Sequence, residues 1–581
     1  MRFINCISRN ESMATKQLMR LARYQEKQSI ERSLLHMNWI VTTDDNGNRQ
    51  LRMNWLAGRE NRPTSSNALN PVPVEHREVN EAGACRKFLL ALTKCPQMVF
   101  AVWVFFAIII NLSNIAVAQD SNAQISEPLS AHPQATPVTG EDAENKADPS
   151  SSASDAQEEV MLPHLQDTRF WLSGQANFIF QTHPPFHAPY NGVNSLNPNY
   201  EKATSRVLTL YSGVRLNDST EILADIEEAG GAALSTGLGV AGSPNLDIVR
   251  NPSLSKAPYL ARGMIHKVFA LSSDKIENDR NPLSLFPELP RRRLEIRFGK
   301  FSTVDFFDQN SVGSDTHYQF TNWSIDNNGA YDYAADTRGY TVGLVADYED
   351  RNWGFRFAEA LMPKVANGID LVWKPWQAHA ENFEYELRHG LIPKKTGVVR
   401  LLAFTNSADM GIYRESIAQF KEGLVPVPVI TNHPWQITRK YGFGINVEQV
   451  IARDLTVFAR GGWNNGKTES FAYTEIDQTV VTGLGANGAL WHRRQDRASI
   501  AFASNAICKD HQVYLADGGS GFLLGDGVLN YGRENILETY YTVHLWRGLS
   551  VAPGLQYIVD PGYNRERGPV LITSFRTHFE F

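Results

Sequence analysis

The stretch Ser574–Phe581, SFRTHFEF, decides the fold. Phe575, Phe579 and Phe581 fall on one side of a two-residue alternation, with Arg576, His578 and Glu580 on the other. A segment patterned in this way reads as a strand with one apolar and one charged face. The same period returns far upstream. In Arg169–Gln181, RFWLSGQANFIFQ, residues Phe170, Leu172, Gly174, Ala176, Phe178 and Phe180 share a face opposite Ser173, Gln175, Asn177 and Gln181. Tyr340, Val342, Leu344, Ala346 and Tyr348 alternate with Thr341, Gly343 and Asp347, and Leu294, Ile296 and Phe298 with Arg293, Glu295 and Arg297.

Tight polar turns join several of these strands: LNDST at Leu216–Thr220, YEDRNW at Tyr348–Trp353, IARDL at Ile451–Leu455 and LWRGL at Leu545–Leu549. Between them lie long stretches rich in Gly, Asn, Asp and Pro, such as 230–261 and 305–336. Short turns on one rim and long loops on the other are the asymmetry of an outer-membrane barrel. A soluble all-β domain also hides an apolar face, so alternation alone does not say which side is wet. An export signal, aromatic residues near strand ends and the final Phe581 decide for the membrane. A terminal strand ending in Phe579 and Phe581 resembles the signal read by the bacterial outer-membrane assembly machinery. About 415 residues divide into 16 strands at about 26 residues per strand and connection. The expected fold is therefore all-β, a transmembrane antiparallel β-barrel of the outer-membrane type over residues 166–581. It has 16 strands, short periplasmic turns, long external loops and an aqueous lumen, in the outer membrane of a Gram-negative-type bacterium.

Composition excludes other classes. Across 581 residues, charged side chains make up 20% and the formal net charge is -6, leaving no basic field to hold nucleic acid. Of four cysteines, Cys6, Cys85, Cys95 and Cys508, only Cys508 lies beyond the export signal, so neither a disulfide nor a cysteine metal site is available to the mature chain. The signal itself is MVFAVWVFFAIII, Met98–Ile110, preceded by Arg86, Lys87 and Lys94 and followed by Ala116-Val117-Ala118. It reads as a secretory signal over 98–118, being short for a membrane span; an uncleaved anchor helix is the alternative. The preceding residues 1–97 are either a start-site artefact or a cytoplasmic extension, with an amphipathic helical pattern over 13–39. Residues 119–165, rich in Ser, Pro, Ala and acids, form an expected disordered acidic linker.

Two stretches carry more than pattern. One is GKFSTVDFFDQN, Gly299–Asn310, continuing through QFTNWSIDNNGAYDYAADTRGYTVG, Gln319–Gly343. The other is LETYYTVHLWRGLSVAPGLQYIVDPGYN, Leu537–Asn564. Together with YNGVNSL at Tyr190–Leu196, they resemble the carbohydrate-selective porin family of the OprB type. In that family a strand ending Gly-Lys-Phe leads into an Asp-Phe-Phe-Asp loop, and a Pro-x-Leu-Gln-Tyr strand ends in an Asn- or Asp-Pro-Gly turn. Asp560-Pro561-Gly562-Tyr563 departs slightly from the usual Asn-Pro-Gly-Gly. The resemblance leaves residues 1–165 untouched and implies passive, carbohydrate-selective diffusion of small sugars. Its expected partners are those sugars, outer-membrane lipid and the assembly machinery, as a monomer or homotrimer.

Sugar hydroxyls call for charged or amide partners, and sugar C–H faces for aromatic rings. Asp225 and Glu227 share one strand face, as do Arg293, Glu295 and Arg297. Opposed charges across a lumen set up a transverse field suited to hydroxylated solutes. The long loop supplies Asp305, Asp308, Asn310, Trp323 and Asn328 as further pore-lining or sugar-contacting candidates. Trp323 and Phe306-Phe307 either stack on sugar or anchor the loop to the wall. The run Arg291–Arg293 invites an anion channel, but Pro287 and Pro290 place its first two arginines at a strand start. No G-x-S-x-G, H-E-x-x-H or Walker sequence is present; no catalytic residue, cofactor or metal is assigned. A general or anion-selective porin, a loop-closed structural barrel and, through Asp305 and Asp308, a barrel enzyme are the competing readings.

Overall fold

The computed structural model describes residues 35–43, 49–57, 160–164, 168–248 and 254–581, in two units, 1–79 and 80–581. The expected export signal at 98–118 and the expected linker up to residue 159 lie outside the described residues. In the first unit Leu35–Thr43 and Arg49–Ala57 pair as an antiparallel hairpin. The pattern over 13–39 thus ends in a strand instead of a helix.

Sixteen antiparallel strands close a barrel in the second unit. The first half comprises β1 (Phe170–His183), β2 (Glu201–Asn217), β3 (Thr220–Gly231), β4 (Tyr259–Ala270), β5 (Arg293–Phe301), β6 (Thr341–Glu349), β7 (Trp353–Leu361) and β8 (His379–Leu387). The second comprises β9 (Gly397–Ala408), β10 (Thr438–Ala452), β11 (Leu455–Asn464), β12 (Gln478–Asn487), β13 (Arg497–Ala506), β14 (Glu534–Trp546), β15 (Leu549–Val559) and β16 (Val570–Glu580). Each strand pairs with the next in sequence, and β16 closes on β1 from Thr573–Thr182 to Glu580–Gln175. A closed ladder is the only sheet that leaves no backbone edge unpaired in lipid.

The period of two becomes two environments. On β1, Trp171, Gln175, Asn177 and Gln181 are buried toward the lumen while Phe170, Leu172, Phe178 and Phe180 are exposed. Aromatic clusters mark both rims, as interfacial girdles do: Tyr348, Trp353 and Tyr385 at the periplasmic ends of their strands, and Tyr441, Phe443 and Trp463 near the opposite ends.

External loops run from ten residues (560–569) to thirty-nine (302–340), whereas the turns at 218–219, 350–352, 453–454 and 547–548 are minimal. Two periplasmic connections are longer, nine residues each at 388–396 and 488–496, and one is much longer. Residues 271–292 form a long insert between β4 and β5 with its own hairpin, Lys275–Glu277 against Glu288–Pro290. Its Leu283 and Leu285 are buried in the main hydrophobic cluster, so the insert folds against the barrel interior.

Loop L3 (302–340) leaves β5 just after Gly299, whose φ of 144° and closeness to β4 require glycine; a Cβ there would stand 2.1 Å from the Gly263 carbonyl oxygen. L3 holds a one-turn helix, α1 (Trp323–Asp326), capped by the Asn322 side chain on the Ser324 N–H. L3 crosses the lumen because its polar groups find partners on distant strands. Arg460 of β11 meets Asp308 at 2.9 Å, Asp308 N–H donates to Glu384 of β8 at 2.7 Å, and Glu538 of β14 accepts from Thr321 N–H at 2.8 Å.

Candidate functional site

L3 divides the lumen. Behind it, charges from β5 to β10 neutralise one another: Arg356 reaches Asp347, Glu349, Glu384 and Glu386 at 2.9–3.0 Å, and Arg400 reaches Glu386 at 2.9 Å. On the other side a cavity of about 890 Å³ runs beside L3, walled by β1–β4 and β13–β16. Its lining reaches from Arg280 and Arg547 at the periplasmic rim to Arg338 and Asn367 on external loops. No described residue of β5 to β12 touches it. This cavity thus lies beside a half of the lumen filled by L3 and the ion network.

One part of the lining is charged. Arg262 of β4 binds Asp305 through Nε (2.7 Å) and Nη2 (2.5 Å), and Asp225 of β3 through Nη1 (3.1 Å). Glu227, one alternation above Asp225, accepts from the Tyr259 hydroxyl and from the Tyr340 hydroxyl at 3.0 Å. Two carboxylates sharing one guanidinium leave lone pairs for further donors.

Another part of the lining is aromatic. Trp323 stacks on Tyr473 at 5.4 Å and 7°, and Tyr333 packs on Tyr473 at 4.6 Å. The Trp323 indole N–H is tied to the Asn245 carbonyl at 3.0 Å, which fixes the ring plane. Beside it, burial pushes Asp326 well above the usual carboxylate range, favouring the neutral acid. Toward the external end, Asp336 accepts from the Arg338 and Tyr340 N–H groups and is raised by burial, against the pull of Lys300, to about 6.

Loop L2 (232–258) is fastened to L3 at the cavity edge. His317 Nδ1 lies 3.0 Å from Asp247 Oδ2, which also accepts from Asn177 of β1. Burial disfavours both charges, but each overcomes this for the other. His317 rises to about 9 and Asp247 falls to about 2.

The residues singled out by sequence divide by place. Asp305, Glu227 and Trp323 line the cavity, and Asp225 stands behind them on Arg262. Asp308, Asn310 and Asn328 lie within L3 as its internal ties: Asp308 accepts from Asn328 N–H at 2.8 Å, and Asn310 Oδ1 from Val312 and Gly313 N–H groups at 2.9 and 2.7 Å. Arg293, Glu295 and Arg297 form a buried ion network with His266 and Glu221, and Arg297, 1% exposed, lies 5.2 Å from the Phe306 ring centre. Phe306 thus anchors the loop. Phe579 and Phe581 stack at 6.5 Å on the outward side of β16.

Arg262, Tyr259, Tyr340 and Tyr473 are among the lining residues that sequence reading did not single out. Arg262 shares an alternation with Met264, His266 and Val268, which marks it as lumen-facing. Tyr473 sits in an irregular loop and has no local signal.

A likeness to one solved structure supports the fold. The high-pH structure of Pseudomonas putida OprB has a TM-score of 0.54 at 16% identity, covering 71% of this chain and 94% of that one. The outer membrane channel DcaP of Acinetobacter baumannii has a TM-score of 0.40 at 8% identity, covering 71% and 97%. No curated protein sequence matches the chain. A family model described as carbohydrate-selective porin, OprB family, matches residues 203–581. With that match over its closed 16-strand barrel, the chain belongs to this family and is an outer-membrane carbohydrate porin, a channel and not an enzyme.

Proposed function

We propose that small neutral sugars cross this barrel through the passage beside L3, held between a charged and an aromatic surface. Arg262, Asp305 and Glu227 exchange hydrogen bonds with sugar hydroxyls, with Asp225 holding Arg262 from behind, while Trp323, backed by Tyr473, meets a C–H face. One observation carries the reading: a fixed acid–guanidinium cluster and a stacked aromatic cluster line one cavity. The lining mixes both signs of charge, so the field orients dipolar solutes more than it sorts ions. Transport is passive diffusion. Phe579 and Phe581 serve a separate purpose, as the residues read by the outer-membrane assembly machinery.

The test is single-channel conductance in a planar bilayer, titrated with glucose and maltose against a neutral non-sugar of similar size. Saturable block by the sugars alone supports a sugar-binding passage. Equal block by the non-sugar, or none by any solute, reduces the passage to a general pore.

A further inference from the structure

We propose that the passage holds a second sugar subsite, on the wall formed by β16, β1 and β2 beside the one at Trp323, and so favours neutral saccharides of two or more rings. The inference rests on the passage being the path for sugar.

Buried polar atoms mark the place. Nearly all such atoms in a folded protein have a hydrogen-bond partner. On this wall Trp171 Nε1, Gln175 Oε1 and both ring nitrogens of His578 have none among the described residues. The three side chains line the cavity although they are only 4%, 5% and 2% exposed. Together they present one donor, one acceptor and an imidazole that serves as both. A sugar hydroxyl also donates and accepts, so vicinal hydroxyls match this set. Across the cavity, Asp326 Oδ1 and Asn327 Oδ1 of L3 are open in the same way, beside the first subsite.

Neighbours hold the open atoms in place. Gln175 Nε2 donates to Thr209 Oγ1 at 2.8 Å, and Thr209 Oγ1 donates to Glu227 Oε2 at 3.3 Å. A carboxylate only accepts, so the Thr209 hydroxyl gives its proton to Glu227 and accepts from Gln175. The Gln175 amide is therefore fixed in one orientation, and Oε1 is the atom left over. The His578 ring packs on Tyr318, with 4.1 Å between ring centres, and on His317 at 6.1 Å and 22°. These rings set its plane while both of its nitrogens stay open.

The strand register gathers the residues. Gln175 pairs with Glu580 across the seam, and His578 is the next lumen-facing residue of β16. The two are diagonal neighbours, about 7–8 Å apart. Gln175 also pairs with Thr209 of β2, where Tyr211 is the next lumen-facing residue. Tyr211 is half-buried, lines the cavity and stacks on Trp171 at 6.3 Å and 24°. One ring backed by another repeats the arrangement of Trp323 on Tyr473 and offers a second C–H stacking face.

The two subsites are adjacent. Within L2 the Asn245 carbonyl holds the Trp323 indole, and Asp247, two residues on, holds His317, whose ring lies against His578. Two residues of extended chain span about 7 Å. Along the wall, Thr209 links Gln175 to Glu227 of the first subsite. A single ring at Arg262 and Trp323 leaves Gln175, Tyr211 and His578 unmet, and a second ring joined to it reaches them.

Block of the ion current through the full chain in a planar bilayer, titrated with glucose, maltose and maltotriose, gives a half-blocking concentration for each sugar. The maltose value should lie at least about fivefold below that of glucose, the worth of one or two neutral hydrogen bonds. Gln175→Leu and Tyr211→Ala should each bring the two values together, whereas Tyr211→Phe, which keeps the ring, should preserve the difference. Equal values for glucose and maltose in the wild type overturn the second subsite and leave the passage a path for single sugars. So does a maltose preference that survives both Gln175→Leu and Tyr211→Ala. Absence of block by every sugar removes the passage itself as the sugar path, and the second subsite with it.

Discussion

At Arg262 a single guanidinium at the passage wall binds two carboxylates that would otherwise repel each other. Replacing it with Gln leaves Asp225, Glu227 and Asp305 uncompensated. Cation selectivity should then rise, and sugar block should weaken by about tenfold, the scale of a hydrogen bond to a charged group. Reversal potentials in a salt gradient and sugar titration of the current read both effects; unchanged values would remove Arg262 from the passage. Arg297→Gln makes the contrast. Its side chain lies outside the cavity, so conductance should match the wild type while stability falls by about 1–3 kcal/mol through lost charged hydrogen bonds, seen as a lower melting midpoint. The alternation makes Arg293, Glu295, Arg297 and Arg262 equally legible as lumen-facing. What it leaves illegible is which half of the lumen L3 fills, because that depends on Asp308 meeting Arg460 and Glu384 far along the chain. Asp336 adds a pH signature. Its burial-raised pKa of about 6 means that its negative charge is present above that pH and lost below it. Cation preference should step down between pH 7.5 and 5, and Asp336→Asn should flatten the step. A step that survives the substitution would belong to another group.

L2 is tied to L3 by the Trp323 indole N–H on the Asn245 carbonyl, by backbone bonds from Leu246 to Thr321 and from Trp323 to Ser243, and by the Asp247–His317 pair, the tie that titrates. His317 titrates near 9 in the fold against 6.5 free, so its contribution is full below 6.5 and lost as pH climbs toward 9. Asp247 titrates near 2 against 3.8, so its contribution is full above 3.8 and lost as pH falls toward 2. The contact should be tightest between about pH 4 and 6.5. Hydrogen exchange at residues 315–318, corrected for intrinsic rate, should accelerate near pH 9.5 relative to pH 6, and Asp247→Asn should exchange fast at both. Equal protection at both pH values in the wild type would show that the pair does not fasten the loops. The length and polarity of 305–336 already announce a loop too long for a simple connection. The 271–292 insert is less legible, since Pro282, Pro287 and Pro290 break any pattern and its leucines gain meaning only where they meet the barrel interior.

A barrel exists as a whole only once its last strand finds its first. β16 meets β1 through eight ladder pairs, Phe579 packs edge-on against Phe178, and the Phe581 carbonyl oxygen accepts from Ser173 Oγ at 2.9 Å and Gly174 N–H at 3.2 Å. His164 Nε2 approaches the same oxygen at 3.1 Å, and Met161 N–H donates to the Glu580 carbonyl at 2.9 Å, so the segment before β1 also crosses the seam. Packing at closure is thus separable from the proposed reading of Phe579 and Phe581 during assembly. Phe579→Ala/Phe581→Ala should lower the amount of heat-resistant folded barrel in cells. Refolding the purified double variant into lipid vesicles, where no assembly machinery acts, tells the tasks apart. Recovery of wild-type folding yield and melting midpoint in vesicles places the defect in recognition. A matching loss in vesicles places it in the seam, where each lost aromatic contact costs about 0.5–1.5 kcal/mol beyond its buried area, and would end the assignment of these two residues as an assembly signal.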